Sequence, residues 1–179
     1  SVNHALALHN FPTHPINAYN FFIGNGLNKL LERALPETHR NQDIISMLKA
    51  DFVTHYYSHS DEFTKPYPGI PHLLKKLSDE RLQIAIASNK IHQATADLAK
   101  RFFPDIEFTA VFGQRDGYAV KPNPAILEEI IGIAGVEKSE ALYVGDSGVD
   151  AATAYNAKVD FAGVLWGFRP RKELEDVGA

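Results

Sequence analysis

Short apolar segments alternate with helical patterns through the second half of the 179-residue chain. The segment from Leu82 to Ala87 is rich in isoleucine, and a helical pattern follows it from Ile91 to Phe103. The further apolar runs are Phe108–Phe112, Ala141–Val144 and Phe161–Trp166. Short buried strands that alternate with helices are typical of βαβ units and a parallel sheet. We therefore predict an α/β fold with a doubly wound parallel sheet, whose right-handed crossovers cover both faces.

The first half has a different character, because its apolar residues recur at helical spacing. One such run extends from Ile44 to Tyr56, and another begins after Gly26. The two halves are separated by the connector Lys-Pro-Tyr-Pro-Gly, in which two prolines and a glycine stand within five residues. We predict a small all-helical domain at residues 1–65 and an α/β core at residues 66–179.

Composition and charge exclude several classes of protein. Lys and Arg total 18 while Asp and Glu total 22, so the net charge is -4, which argues against binding to nucleic acid or to an anionic membrane. The absence of Cys excludes disulfide scaffolds, thiol catalysis and cysteine-ligated zinc. No apolar run approaches the roughly 18 residues that span a bilayer, and no signal peptide is visible. We expect a cytoplasmic protein.

Polar residues follow the predicted strands at three places, of which two carry a hydroxyl or a cation. Ser88 and Asn89 come directly after the first strand, where a hydroxyl and free N–H groups at the start of a helix can bind an anion. The alternative is an ordinary helix cap, since Ser and Asn are common there. Lys121 stands in the segment Lys-Pro-Asn-Pro, whose rigid backbone suits a fixed charge against phosphate, although a solvated loop lysine is the alternative.

The third place holds two carboxylates one helical turn apart. Asp146 follows the strand that ends at Val144, and Asp150 comes four residues later, so both can face one point. Oxygen ligands of this kind suit magnesium, whereas the alternative is a capping Asp with an unrelated surface Asp. Because the carboxyl ends of parallel strands meet at one edge of the sheet, the three places together predict a site for phosphoryl transfer.

With these motifs the chain resembles the haloacid dehalogenase-like phosphatases and, among them, the phosphoglycolate phosphatases. The motifs that carry the resemblance are Ser88-Asn89-Lys90, Lys121-Pro122-Asn123-Pro124, Gly145-Asp146-Ser147-Gly148-Val149-Asp150, Gly163-Val164-Leu165-Trp166-Gly167-Phe168-Arg169, Tyr67-Pro68-Gly69 and Gly24-Asn25-Gly26-Leu27. The resemblance implies a three-layer core with a small helical cap. It also implies magnesium-dependent hydrolysis of a small phosphomonoester, such as 2-phosphoglycolate, through an aspartyl-phosphate intermediate.

The same resemblance implies a role for each site residue. Ser88 and the Asn89 amide would hold the substrate phosphate, and Lys121 would neutralise phosphate and nucleophile. Asp146 would bind magnesium, and Asp150 would ligate the ion or orient its waters. The residues that would reach from the cap to read the substrate are Gly24, Asn25 and Gly26.

One departure from the family pattern dominates. The family's first motif, an Asp-x-Asp that provides the nucleophile and the acid/base, occurs nowhere in the 179 residues. We therefore expect a truncated sequence that lacks the first and last core strands, with the nucleophile outside this chain. Such a fragment would expose two unpaired inner strand edges and would not fold stably as a monomer. A smaller departure is Lys158, which stands at a turn where the family usually has glycine.

Two other interpretations stay open at this stage. One is a non-catalytic module that binds phosphate or a small phosphorylated metabolite, and the other is a regulatory domain phosphorylated on Asp146. His55 and His59 are four residues apart on a predicted helix, but a solvated helix is a better interpretation than a metal pair. The pattern leaves open whether the protein is a monomer or a homodimer.

Overall fold

The structure is a computed structural model that describes residues 1–178 and divides into two compact units, Ser1–Thr64 and Lys65–Ala179. The first unit is helical, with short 3₁₀ turns at Ile16–Ala18 and Glu37–His39. Its helices are α1 (Val2–Leu8), α2 (Tyr19–Phe22), α3 (Leu27–Ala34) and α4 (Gln42–His59). Within residues 1–178, no helix combines the length and the apolar character needed to cross a membrane.

Helix α4 organises the first unit. It begins at Asn41, whose side chain accepts a hydrogen bond from the Ile44 N–H and so satisfies one of the free donors of the first turn. Helices α1 and α3 both pack against α4. The largest fully buried side chains of this unit are Leu6, Leu31, Leu35 and Leu48. This aliphatic core confirms the helical periodicity read from the first half of the sequence.

The second unit alternates helices and strands. Its elements are α5 (Ile70–Asp79), β1 (Ala85–Ile91), α6 (His92–Phe102), β2 (Ala110–Gln114), α7 (Ala125–Ala134), β3 (Leu142–Gly145), α8 (Gly148–Ala157), β4 (Asp160–Gly163) and α9 (Arg171–Asp176). Strand β1 pairs in parallel with β2, and β3 pairs in parallel with β4. The α/β prediction is therefore confirmed, with strands close to the apolar runs that predicted them.

The sheet itself consists of two separate pairs of strands. Among residues 1–178, neither β1 nor β3 pairs through its second edge, so the single predicted sheet is divided between β1 and β3. The two pairs are connected by packing instead. Ala87 and Phe112 of the first pair and Tyr143 of the second pack against a shared buried cluster that includes Leu127 and Val159.

Strand β1 leaves its regular register at the position where the sequence predicted a site. Ala87 pairs with Phe112, and the next paired residue of β1 is Ile91, opposite Gln114. The residues between them, Ser88 to Lys90, are therefore released from regular pairing. The Ser88 hydroxyl accepts a hydrogen bond from the Lys90 N–H at 3.1 Å, so it closes a local turn and does not cap α6, which begins at His92.

Candidate active site

Lys121 is buried at the centre of the predicted site. It is 8% exposed, and its Nζ atom donates hydrogen bonds to the Ala87 carbonyl at 3.2 Å, the Tyr143 hydroxyl at 2.8 Å and Asp150 Oδ1 at 2.6 Å. An ammonium group has three N–H donors, and these three acceptors match them in number. The alternative of a solvated loop lysine is therefore wrong.

Asp150 is the ionic partner of Lys121. It lies in the first turn of α8, and its Oδ1 atom also accepts a hydrogen bond from the Tyr143 hydroxyl at 2.9 Å. Its Oδ2 atom accepts one from the Ser147 hydroxyl at 2.6 Å, while Ser147 in turn caps α8. A side chain at Gly145 would overlap Asp150, so β3 can approach Asp150 this closely only because residue 145 is glycine. The carboxylate is thus held by three donors.

These contacts set the protonation of the cluster. Burial by itself raises the pKa of Asp150, but the charge of Lys121 and hydrogen bonds from Lys121, Ser147 and Tyr143 outweigh it, and the pKa lies below its usual value. Burial, and after it the negative charge of Asp150, raises the pKa of Tyr143 far above its ordinary value. Tyr143 therefore remains a hydrogen-bond donor to Asp150 at neutral pH.

Asp146 occupies a more open position at the end of β3. Its Oδ2 atom accepts a hydrogen bond from the Phe168 N–H at 2.8 Å, and Gly167 packs so tightly against it that any side chain at Gly167 would overlap the carboxylate. Within the described chain, its Oδ1 atom has no hydrogen-bond donor. Burial raises the pKa of Tyr67, and the negative charge of Asp146 adds to the effect. Asp146 therefore has an oxygen that can ligate a cation.

Asn89 has a contact that the sequence did not predict. Its Oδ1 atom accepts a hydrogen bond from the Lys121 N–H at 2.8 Å, and its Nδ2 atom donates one to the Lys121 carbonyl at 3.0 Å. The side chain of Asn89 thus binds the backbone of Lys121. The structure thus brings Lys121 into contact with both Asn89 and Asp150. Asp146 directly follows Gly145, the last residue of β3.

Tyr143 is the other residue that sequence reasoning missed. Its neighbours in β3, Leu142 and Val144, are exposed, so the two-residue period of a strand directs Tyr143 to the opposite face. A tyrosine among aliphatic strand residues carries a hydroxyl that needs a partner when buried. That combination is the signal by which Tyr143 could have been found.

A small open depression adjoins Ser88 and Asn89. Arg115 and Tyr118, in the loop that leads to Lys121, also line it. The Arg115 guanidinium forms a bidentate ion pair with Glu129 of α7 and lies 4.0 Å from the centre of the Tyr118 ring. Arg115 thus ties this loop to α7.

The remaining predicted residues lie in the helical unit. Gly24, Asn25 and Gly26 form the turn between α2 and α3, where Gly24 and Gly26 have φ values of 110° and 84° that favour glycine. The rings of His55 and His59 are stacked with their centroids 3.9 Å apart. Across residues 1–178 there is no group of three or more His, Cys, Asp or Glu side chains that could hold a metal ion.

A family model described as haloacid dehalogenase-like hydrolase matches residues 1–164. A phosphoglycolate phosphatase of Mesorhizobium japonicum is 30% identical over 178 residues, which cover 98% of this chain and 78% of the relative. One from Cereibacter sphaeroides is 33% identical over 175 residues, covering 94% and 78%. The crystal structure of a candidate phosphoglycolate phosphatase from Lactobacillus delbrueckii subsp. bulgaricus matches with a TM-score of 0.91 and 28% identity, over 99% of this chain and 83% of that one.

Proposed function

The chain belongs to the haloacid dehalogenase-like hydrolases, and from this premise we propose that it is a phosphatase acting on a small phosphomonoester such as 2-phosphoglycolate. The observation that carries the proposal is the buried Lys121 ammonium, paired with Asp150 at 2.6 Å beyond the strand ends. A fixed cation in such a place suits the charge that develops on a transferred phosphoryl group. Relatives that are named phosphoglycolate phosphatases support the choice of substrate.

The proposed roles follow from what each group can donate. The Ser88 hydroxyl and the Asn89 N–H would hold phosphate oxygens, the role that the family resemblance implies for them. The three donors of Lys121 are already occupied, so a bound phosphate would replace one of its present acceptors. The proposed substrate would therefore meet a cation that the two remaining acceptors keep in place.

Magnesium is the proposed cofactor, and the oxygen donors at the end of β3 fit it. Asp146 would ligate the ion through the oxygen that takes no hydrogen bond from the described chain. Asp150 would orient the waters of the ion, because both of its oxygens already accept hydrogen bonds. When bound, the ion would neutralise charge on the phosphoryl oxygens.

The proposed reaction passes through an aspartyl-phosphate. A carboxylate oxygen attacks phosphorus, and the bond from phosphorus to the alcohol oxygen breaks as a general acid gives that oxygen a proton. The conjugate base of that acid then takes a proton from water, which attacks the acyl phosphate, releases inorganic phosphate and regenerates the carboxylate. Residues 1–179 contain no Asp-x-Asp, so the proposal requires the attacking carboxylate from outside them. The helical residues 1–65 are proposed as the cap, with Gly24, Asn25 and Gly26 reading the substrate. The proposal includes a cytoplasmic location and a monomeric or homodimeric enzyme.

The experiment uses the complete gene product, as its cells make it, with 2-phosphoglycolate and magnesium. We expect release of inorganic phosphate that stops when EDTA removes the metal. Asp146→Asn should abolish this activity, whereas Asp160→Asn, at an exposed position in β4, should leave it intact. Undiminished hydrolysis by the Asp146 variant would contradict the site assignment.

The second candidate is a non-catalytic module that binds phosphate or a phosphorylated metabolite. The observation that favours it is the absence of Asp-x-Asp from the 179 residues. The two candidates differ in one result. A binder would take up inorganic phosphate in isothermal titration without hydrolysing any phosphomonoester, whereas the phosphatase would turn over its substrate.

A further inference from the structure

Lys121 is held at both ends by side chains to which the proposed chemistry gives no reacting role. Asn89 binds its peptide group, and Tyr143 binds its ammonium group. We propose that Asn89 and Tyr143 are positioning residues that fix the direction of the Lys121 charge at the phosphate site. This inference rests on the proposed function only for its kinetic consequence, because the contacts themselves can be tested without any reaction.

The backbone end depends on the amide of Asn89. One amide side chain offers both an acceptor and a donor, and here it satisfies the N–H and the carbonyl of Lys121 at 2.8 and 3.0 Å. The two residues are 32 positions apart, so the pair connects the end of β1 to the loop before α7. Asn89 can make this contact because its stretch of β1 is released from regular pairing with β2.

The ammonium end depends on the hydroxyl of Tyr143. This hydroxyl accepts from Lys121 Nζ at 2.8 Å and donates to Asp150 Oδ1 at 2.9 Å, so it bridges the two charged groups. The same ammonium also donates to the Ala87 carbonyl in β1. Lys121 is thus oriented by acceptors from β1, β3 and α8 together.

Replacing either Asn89 or Tyr143 should leave Lys121 in the site but disturb its orientation. In Tyr143→Phe, Lys121 keeps its charge and its Asp150 partner but loses one of three orienting acceptors. In Asn89→Ala, the peptide of Lys121 loses both of its side-chain hydrogen bonds. Displacing a reacting group by about 1 Å can lower a rate by about 100-fold, so we expect the loss to fall on kcat.

The kinetic test compares each variant with the same change at an exposed position. In the complete gene product, Tyr143→Phe and Asn89→Ala should lower kcat by roughly 10- to 100-fold and change KM by less than about threefold. Tyr155→Phe, at a site that is 83% exposed, and Asn28→Ala, on the exposed face of α3, should match the unaltered protein. Values of kcat within twofold of the unaltered protein in both test variants would overturn the proposal.

A spectroscopic test keeps the inference separate from the proposed function. Nuclear magnetic resonance of ¹⁵N-labelled lysine ammonium groups should show a slowly exchanging Lys121 signal, which shifts in Tyr143→Phe and not in Tyr155→Phe. This result is expected even if the protein hydrolyses no phosphomonoester. An unchanged Lys121 signal in Tyr143→Phe would overturn the inference. If that variant does not fold, the unaltered protein decides, because the lack of any slowly exchanging Lys121 signal there would overturn it as well.

Discussion

The Lys121 ammonium and the Asp150 carboxylate lie 2.6 Å apart, and each side chain is only 9% exposed. An ion pair this deeply buried gains little net stability over an apolar pair of the same shape, because both charges lose their hydration. Removing only one partner destabilises the fold, because the remaining charge stays buried without its partner. The pair therefore keeps a directed cation in the site at a cost that the rest of the core must offset.

The first prediction concerns Lys121→Met, which leaves the Asp150 carboxylate buried and unpaired. We expect the free energy of unfolding, measured in urea, to fall by about 3–5 kcal/mol. The double variant Lys121→Met/Asp150→Asn should recover part of that loss. Lys138→Met is the matched control, because its partner Glu128 lies 2.9 Å away at the surface, and it should cost at most about 1 kcal/mol. Equal losses in the two lysine variants would show that burial does not strengthen the Lys121 pair.

The second prediction concerns acid stability and Glu129. The bidentate hydrogen bond from Arg115 lowers the pKa of Glu129 below 4.5, more than burial raises it. A carboxylate whose folded pKa is lowered contributes stability above its unfolded pKa and loses it as the pH falls through the folded value. The unaltered protein should therefore lose stability relative to Glu129→Gln as the pH falls from about 5 to about 3.

Urea unfolding across that pH range measures the difference. It should amount to about 1 kcal/mol or less, since the pair is partly exposed to solvent. Glu128→Gln removes a charge from the same helix at the more exposed ion pair with Lys138 and is the matched control. A constant difference between the unaltered protein and Glu129→Gln from pH 5 to pH 3 would contradict the prediction.

The third prediction concerns the end of α8. Lys158 adopts the left-handed conformation there, with φ 59° and ψ 48°, and its N–H bonds to the last turn of the helix. Side chains with a Cβ are strained in this region by about 1 kcal/mol, whereas glycine is not. Lys158→Gly should therefore stabilise the protein by roughly 0.5–1 kcal/mol in thermal or urea unfolding. Lys158→Ala keeps the Cβ and should give no such gain; an equal gain from alanine would contradict the conformational explanation.

Local patterns predicted the approximate positions of the strands, because each strand overlaps a short apolar run. The end of β1 was predicted wrongly, since the run from Leu82 to Ala87 indicated a strand that stops before Ser88, whereas β1 extends from Ala85 to Ile91. Helix α5 was not predicted, since the glycine and prolines before it indicated a connector, yet Pro71 is tolerated in its first turn. Lys158 shows the reverse case. Its departure from the family's glycine was expected to affect a turn, and the structure places Lys158 in a turn with a φ of 59°.

The sequence indicates which residues belong to the candidate site, but it does not indicate which of them contact one another. The four-residue spacing of Asp146 and Asp150 predicts that both carboxylates can face one point. It cannot predict that Asp150 pairs with Lys121 while Asp146 accepts from Phe168, because those partners lie 29 and 22 residues away. Such long-range contacts depend on how the strands pack, and the bond from Asn89 to the Lys121 backbone is of the same kind.

The last prediction concerns Gly167, whose lack of a side chain lets the 164–168 loop lie against Asp146. A Cβ at this position would overlap the Asp146 carboxylate, so Gly167→Ala must displace either the carboxylate or the loop that donates the Phe168 N–H to it. We expect the affinity for magnesium, measured by isothermal titration of the complete gene product, to fall at least about tenfold, in the range found when groups that orient metal ligands are lost. Gly132→Ala is the matched control, because a Cβ there meets nothing within 4 Å, and in the interior of α7 alanine should stabilise by about 0.5–1 kcal/mol without changing magnesium binding. Magnesium affinity that is the same in both alanine variants would mean that the Gly167 contact does not orient Asp146 for the metal.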